Sequence, residues 1–396
     1  MQKKIYIIGA GLAGLSAAYY LNKQGHKDIE VLEASPYAGG RCRSFYDEKL
    51  GMEIDNGNHL ILGANRNTLE LIRELGAEDK FNKFDDRIFT FFNNRKGERY
   101  HFKAPFPDVE IYGVTGFLNF LKFMLLPSSK TVKQAFKLTP RLFDEIINPI
   151  SRSILNTPSE IADSNILRKT FLKIITSRHG FDYYYPKKSW GEALIGPLIA
   201  HLENNGVKIS YQKAVKDIQN SRTNVYRLIV NDDEIDVENA KIILAVPPSI
   251  ACKHVDISTP DEFFPIINIH FKVDHILQPQ IFGVIESNIE WVFVKPGLIS
   301  TTFSAAAEKL NEIEMVKEAW AVCYKVLGLK GDLPPYKVIT EKRATFACTK
   351  EQLAKRPHSK TKYDNLFLAG DYTRTGLPAT IEGAVVSGRI ASKLSE

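Results

Sequence analysis

The chain opens on a continuous apolar run, "IYIIGAG", and passes at once into "LAGLSAAYYLNKQG", rich in Ala and Leu. An unbroken apolar stretch of this length predicts a parallel strand buried on both faces, and the small residues that follow predict a helix. The far end repeats the pattern. "LFLAGDYTRTGLPATIEGAVVSGRIAS", Leu366 to Ser392, predicts an apolar strand, a Gly-Asp step, a turn-rich stretch and a small-residue helix beginning near Thr380. A third pattern lies between Glu110 and Asp144. There "GFLNFLKFMLLP" places Phe117, Phe120, Leu121 and Met124 at helical spacing, predicting a helix near 115–127.

The two ends raise one question: why would a chain carry a glycine-rich strand-to-helix junction twice? At the front, Gly9, Gly11 and Gly14 form G-x-G-x-x-G. One glycine makes the tight turn, one lets the backbone approach a pyrophosphate, and one packs helix on strand. The helix N-terminus then offers N–H groups to phosphate. A second strand, "IEVLEAS", ends at Glu33, about twenty residues on, where an acid accepts ribose hydroxyls. Strand, glycines, helix, strand and acid in register read as a dinucleotide site, with NAD, NADP and FAD all open. Ala34, then Gly39, Gly40 and Arg41 in "EASPYAGGRCRSF", add close backbone approach and a guanidinium suited to phosphate oxygens.

This E-A-x(4)-G-G-R arrangement resembles the flavin-containing amine oxidase and carotenoid desaturase superfamily. The resemblance implies an α/β (mixed α+β) fold: a Rossmann-like FAD-binding domain of the glutathione-reductase type with an interleaved substrate-binding domain. It also answers the question, because FAD is long and each junction would serve one half of it. The first would hold the ADP half. At the second, Asp371 after Gly370 would contact the ribityl chain or nearby phosphate, and the helix starting at Thr380 and Ile381 would point at the flavin ring, where its positive end stabilises an anionic reduced flavin. The strand "VKISYQKAVKDI" would reach the adenine side with Val215 as a backbone contact, and "AKIILAVPPS" would return to the cofactor sheet. Residues 1–75, 190–255 and 345–396 are then expected to form a discontinuous FAD domain, with 76–189 and 256–344 as the substrate domain. No cysteine lies between Gly370 and Glu382, so FAD is expected to be bound non-covalently.

Four longer segments, including "GGRCRSFYDEKLGMEIDNGNHLILGANRNTLELI" and "TGLPATIEGAV", are similar to the squalene-associated FAD-dependent family, the hydroxysqualene dehydroxylases. Tyr372 and Arg374 depart from the Trp and Asp expected there. The resemblance implies replacement of an allylic hydroxyl by hydrogen in bacterial squalene and hopanoid synthesis. It implies an apolar isoprenoid substrate and a flavin near "IDNGNHLILG". His59 in that segment is a candidate proton donor, since histidine titrates near neutrality. Lys342 is a candidate to face the flavin through water. Asp55 and Glu382 are weaker acid candidates, read first as groups that fix loop and helix geometry. No second nicotinamide fingerprint appears, so the reductant would come from outside or from a partner protein. The alternatives are a desaturase running hydride the other way, an amine oxidase, for which no aromatic pair is evident near "GDYTRTGLP", and a prenyl-binding escort, which the intact cofactor set disfavours.

Composition narrows the setting. The 396 residues, 44% hydrophobic and 25% charged, suit two interleaved domains of a globular protein. Four dispersed cysteines, Cys42, Cys252, Cys323 and Cys348, argue against a disulfide framework or zinc site. His270 and His275 share no strand or helix face, which argues against a metal. A start that runs straight into a strand predicts no signal peptide, and no apolar run spans a bilayer. A cytoplasmic setting is expected. The net charge of +6 is concentrated around the third helix, where Lys122, Lys130, Lys133, Lys137 and Arg141 occur without an acid. This region is either a core helix with solvated lysines or an amphipathic contact with an anionic membrane on the inner face of the cell membrane. No nucleic-acid motif accompanies it.

Overall fold

The apolar run Ile5–Ile8 forms strand β1, and it is central because its residues are buried on both faces. In the computed structural model, which describes residues 3–85, 87–274, 277–306 and 311–395, β1 belongs to a five-stranded parallel sheet. The other strands are β2 (Ile29–Leu32), β3 (Lys208–Ser210), β4 (Lys241–Leu244) and β5 (Leu366–Leu368). Their order is β3-β2-β1-β4-β5. Three distant stretches of chain therefore build one sheet, as the two glycine junctions predict. His275, weighed in the metal reading, lies outside the described residues. Among those residues no group of three metal-ligating side chains occurs.

Both junctions sit at the carboxyl ends of parallel strands, where such sheets bind ligands. β1 leads into helix Leu12–Lys23, and β5 leads through a loop into helix Ile381–Leu394. These two helices pack so closely that a Cβ on Gly388 would lie 2.5 Å from the Ala13 carbonyl oxygen. The small residues seen in both sequences are what permit that approach. It packs the first turns of Leu12–Lys23 on the middle of Ile381–Leu394, and the strands that lead into them, β1 and β5, are separated in the sheet only by β4.

The expected single strand over "VKISYQKAVKDI" is two. The chain leaves the parallel sheet after Ser210, turns through Gln212 at φ 55°, and begins a three-stranded antiparallel meander at Val215. The remaining chain forms a seven-stranded sheet among the described residues, ordered Tyr336–Phe346, Phe263–Lys272, Leu298–Ser304, Trp291–Lys295, Gln280–Ile285, Ile88–Asn93, Glu98–Lys103. Helix Glu312–Leu327 covers one face through Met315, Val316, Ala319 and Val322. The opposite side looks towards the parallel sheet.

The predicted amphipathic helix runs from Val109 to Leu125, with a kink at Gly113 (φ 70°). Of its expected stripe, Phe120 and Met124 are buried and pack on the core with Phe123, Phe136 and Phe171. Phe117 and Leu121, the other two of the stripe, are only half-buried. A different apolar set is exposed: Val109, Ile111, Val114, Leu118 and Leu125 on the helix, with Phe106 and Leu126 flanking it. No helix among the described residues is long and apolar enough to cross a membrane.

Candidate active site

The front turn is built by glycines whose side chains have nowhere to go, with one exception. Gly9 has φ 107°, and a Cβ there would sit 2.6 Å from the Ala245 carbonyl oxygen; one on Gly14 would sit 2.0 Å from the Gly9 carbonyl oxygen. These two glycines serve the fold. Gly11 differs. Its φ of −71° suits any residue, and nothing lies within 4 Å of its ideal Cβ. It caps helix Leu12–Lys23 without a side-chain bond, and there is no acid in the first turn. The free helix N-terminus and the space before it are suited to an anion.

Glu33 directly follows β2 and is held rigidly. Its carboxylate accepts the Ala10 N–H at 2.7 Å and the Ser35 N–H at 2.9 Å. Gly39, at φ 101°, bridges back to Gly11, with its N–H on the Ala10 carbonyl at 2.8 Å. Gly40 comes so close to Gly11 that its Cβ would be 3.2 Å from the Gly11 Cα. Arg41 then reaches across to the rear junction, where its guanidinium pairs with Asp371 at 2.7 Å and donates to the Ala344 carbonyl. The front and rear turns are thus joined by a direct ion pair.

At the rear, Gly370 admits the Tyr372 ring, which a Cβ would meet at 2.4 Å. Thr380 caps helix Ile381–Leu394 by accepting the Gly383 N–H at 3.1 Å. Arg356, buried in the core, donates to the carbonyls of Asp371, Tyr372, Thr373 and Leu377 and so fixes the whole rear loop. Nothing in the sequence marked Arg356, since an isolated "KRP" reads as surface.

A single cavity of about 910 Å³ connects these parts. Gly9, Gly11, Glu33, Ala34, Gly39, Gly40, Arg41, Val215, Gly370, Asp371, Thr380 and Ile381 all line it; Gly14 lies beneath, against Gly9. Its other end is walled by Phe102, Phe120, Ile146, Ile147, Ile150 and Phe171. The bare space at Gly11, the two helix starts facing one cavity, and the anchored Glu33 fit an FAD laid across both junctions. Glu33 and Val215 would hold its adenosine half, Gly11 and Arg41 its phosphates, and Asp371 and Ile381 its flavin half.

His59 borders the cavity with Asn56, Gly57 and Asn58. Burial holds its imidazole below the ordinary value, so it is neutral at pH 7. Its Nε2 lies 3.4 Å from the Arg41 carbonyl, and the ring stands edge-on to Trp190. Asp55, just upstream, is buried and ion-paired to Lys295 at 2.8 Å, and it accepts from Ser44 and the Trp190 N–H. It fixes this segment, as the sequence reading held. The Lys342 expectation is corrected. Lys342 is exposed and does not line the cavity, whereas Glu341 and Arg343 do. Its neighbours Glu341 and Arg343 to Phe346 all border the cavity, where the pairing of strand Tyr336–Phe346 with Phe263–Lys272 is irregular.

Glu382 is also structural. Only 1% exposed, it accepts from the backbone and hydroxyl of Thr68 at 3.0 and 2.8 Å and pairs with Lys173 at 2.9 Å. Burial pushes its carboxyl up, but Lys173, Asn67 and Thr68 outweigh this and leave it below the ordinary value. Lys173 itself lines the cavity and carried no signal in the sequence.

Comparison with known proteins decides what the geometry leaves open. A match to the family described as flavin containing amine oxidoreductase spans residues 12–394. The chain is 34% identical to a hydroxysqualene dehydroxylase of Zymomonas mobilis subsp. mobilis, covering 98% of each chain. The chain belongs to the flavin-containing amine oxidoreductases, and within them to the hydroxysqualene dehydroxylase family. This family member is an FAD-dependent oxidoreductase. It is also 25% identical to a 15-cis-phytoene desaturase of an Oncidium hybrid cultivar, over 98% of this chain and 77% of the other. Among solved structures, an oxidoreductase from Methanosarcina mazei shares the fold with a TM-score of 0.73 at 16% identity, covering 97% of this chain and 98% of that one.

Proposed function

We propose that the chain removes the allylic hydroxyl of hydroxysqualene, leaving squalene, with reduced FAD as the source of hydride. The observation that carries this reading is the shared cavity: both glycine junctions open into the space whose far end is aliphatic and aromatic. A relative with matching length and 34% identity is named for that reaction. In balance, R–OH takes up one hydride and one proton and gives R–H and water. Bound FAD in its reduced form supplies the hydride.

The chain's own residues then have three tasks. The apolar wall of Phe102, Phe120, Ile146, Ile147 and Phe171 buries the isoprenoid at roughly 25 cal/mol per Å² and excludes water, which would otherwise recapture an allylic cation. Arg41, locked by Asp371, holds the two junctions in register. The uncapped start of helix Leu12–Lys23, and the start of helix Ile381–Leu394, where Thr380 takes only the Gly383 N–H, direct partial positive charge into the cavity. We further read residues 1–75, 190–255 and 345–396 as the cofactor unit. The reductant that reloads the flavin is read as a separate partner.

The exposed apolar face at Val114, Leu118 and Leu125, with Lys122, Lys130 and Lys137 near it, is read as the contact with an anionic membrane. Phe120, on the same helix, lines the cavity from the inside, which supports transfer of an oily substrate from bilayer to site.

The test is anaerobic incubation of purified protein with hydroxysqualene and chemically reduced FAD, followed by product analysis. Squalene in stoichiometry with oxidised flavin is expected. A more unsaturated product formed from a saturated precursor with oxidised FAD would reverse the direction and favour desaturation.

A further inference from the structure

The cavity is walled largely by apolar side chains, yet one amide beside the Asn56–His59 segment is left with hydrogen-bonding capacity. Asn268, in strand Phe263–Lys272, is 1% exposed and borders the cavity. Its Oδ1 accepts the Thr302 hydroxyl at 2.9 Å and the Asn58 backbone N–H at 3.4 Å. The Thr302 oxygen accepts from Asn58 Nδ2 at 3.0 Å, so its own hydrogen is available for Asn268. This relay fixes which way the amide faces: oxygen towards the protein, nitrogen away from it. Among the described residues Nδ2 has no partner, and it is not sealed inside the wall.

Space beside that nitrogen is kept open by Gly57. A Cβ there would come 3.3 Å from Asn268 Nδ2 and 3.7 Å from His59 Nε2. A buried amide with unspent N–H groups is costly unless a ligand satisfies it. An apolar chain cannot do so, but an alcohol oxygen on that chain can.

We propose that Asn268 Nδ2 binds the oxygen of the reacting alcohol, with Thr302 and Asn58 as positioning residues that hold the amide in that orientation. The inference rests on the substrate reading above. An alcohol oxygen has two lone pairs. One accepts the amide N–H while the other takes up the proton; the C–O bond then breaks and the oxygen leaves as water. The hydrocarbon product has no oxygen for Nδ2, so the site prefers the alcohol that enters to the product that leaves.

The experiment titrates the FAD-loaded, oxidised protein with hydroxysqualene and with squalene, reading flavin fluorescence; no hydride is available, so binding is measured without turnover. The wild-type protein is expected to bind the alcohol about tenfold more tightly, as one hydrogen bond allows. Asn268→Leu is expected to bring the two affinities within about twofold. Thr302→Val, which frees the amide to rotate, loses most of the preference, and Thr302→Ser keeps it. Full flavin loading and an unchanged melting temperature show that each variant is folded. A preference that survives in both Asn268→Leu and Thr302→Val overturns the inference and leaves the substrate reading standing. So does a shifted flavin spectrum in Asn268→Leu with the preference intact, because the amide would then face the cofactor. A wild-type protein that binds neither molecule overturns both.

Discussion

Gly11 and Gly14 look equivalent in a motif and are not equivalent in space. Gly14 is needed by the fold, since its Cβ would overlap the Gly9 carbonyl at 2.0 Å, whereas Gly11 faces empty cavity. Gly14→Ala is therefore expected to lower the melting temperature of the apoprotein by many degrees. Gly11→Ala should melt like wild type yet bind FAD at least about tenfold more weakly, because the added methyl enters the phosphate space. Calorimetric melting and FAD titration of both variants check this; equal effects on stability would contradict it. The residues that line the cavity at the two turns were legible one by one because each answers a backbone or charge requirement within a short window. Lys342 was not, because which residues of a strand look at a cavity depends on pairing with Phe263–Lys272, far away in sequence. Asn268 and Thr302 escaped notice for the same reason: they meet Asn58 only across sheet and loop.

Among the elements, the helices that begin at the cavity are fixed by partners the sequence does not announce. Glu382 was legible as a geometry-fixing acid. Its actual target is the start of helix Arg66–Glu74, where it takes the Thr68 N–H, with Lys173 as counter-charge. Replacing it by Gln removes the charge from this buried set and is expected to cost about 2–3 kcal/mol at neutral pH. The carboxyl is held below its ordinary value of 4.5, so the folded state binds its proton less readily than the unfolded chain. Its contribution is complete above about pH 4.5 and is lost as pH falls further, through the depressed folded value. The gap in melting temperature between wild type and Glu382→Gln should therefore narrow on acidification below that range; a gap independent of pH would count against the charged role. The helix near 115–127 shows the reverse limit. Its periodicity correctly gave the element, but Phe120 and Met124 went to the core and Val114, Leu118 and Leu125 to the surface. An apolar period fixes a face and does not say what covers it.

At the level of the whole molecule, the meeting of the two ends was readable through the resemblance: a family that holds one long FAD at two junctions brings both ends of the chain to one sheet. The large mixed sheet was not readable, since its hairpins are joined by pairings across long gaps, Gln280–Ile285 with Ile88–Asn93 and Phe263–Lys272 with an edge strand that begins at residue 336. The exposed apolar face belongs to this scale, because it matters only if the mouth of the cavity meets a bilayer. Leu118→Glu with Leu125→Glu is expected to reduce sedimentation with anionic liposomes several-fold without changing flavin content. Lys130→Glu with Lys137→Glu should weaken it chiefly at low salt. Lys133 and Arg141 are poorer probes, being paired with Glu160 and Glu145. Binding unaltered by both pairs would remove the membrane from the account. Everything else depends on two distant turns gripping opposite halves of one FAD. The most direct check is calorimetric titration of Asp371→Asn apoprotein with FAD and, separately, with ADP. FAD affinity is expected at least about tenfold below wild type, with a clearly smaller loss for ADP, which sits at the front turn and feels Asp371 only through Arg41. Equal FAD affinity in variant and wild type, or a parallel loss for ADP, would contradict it.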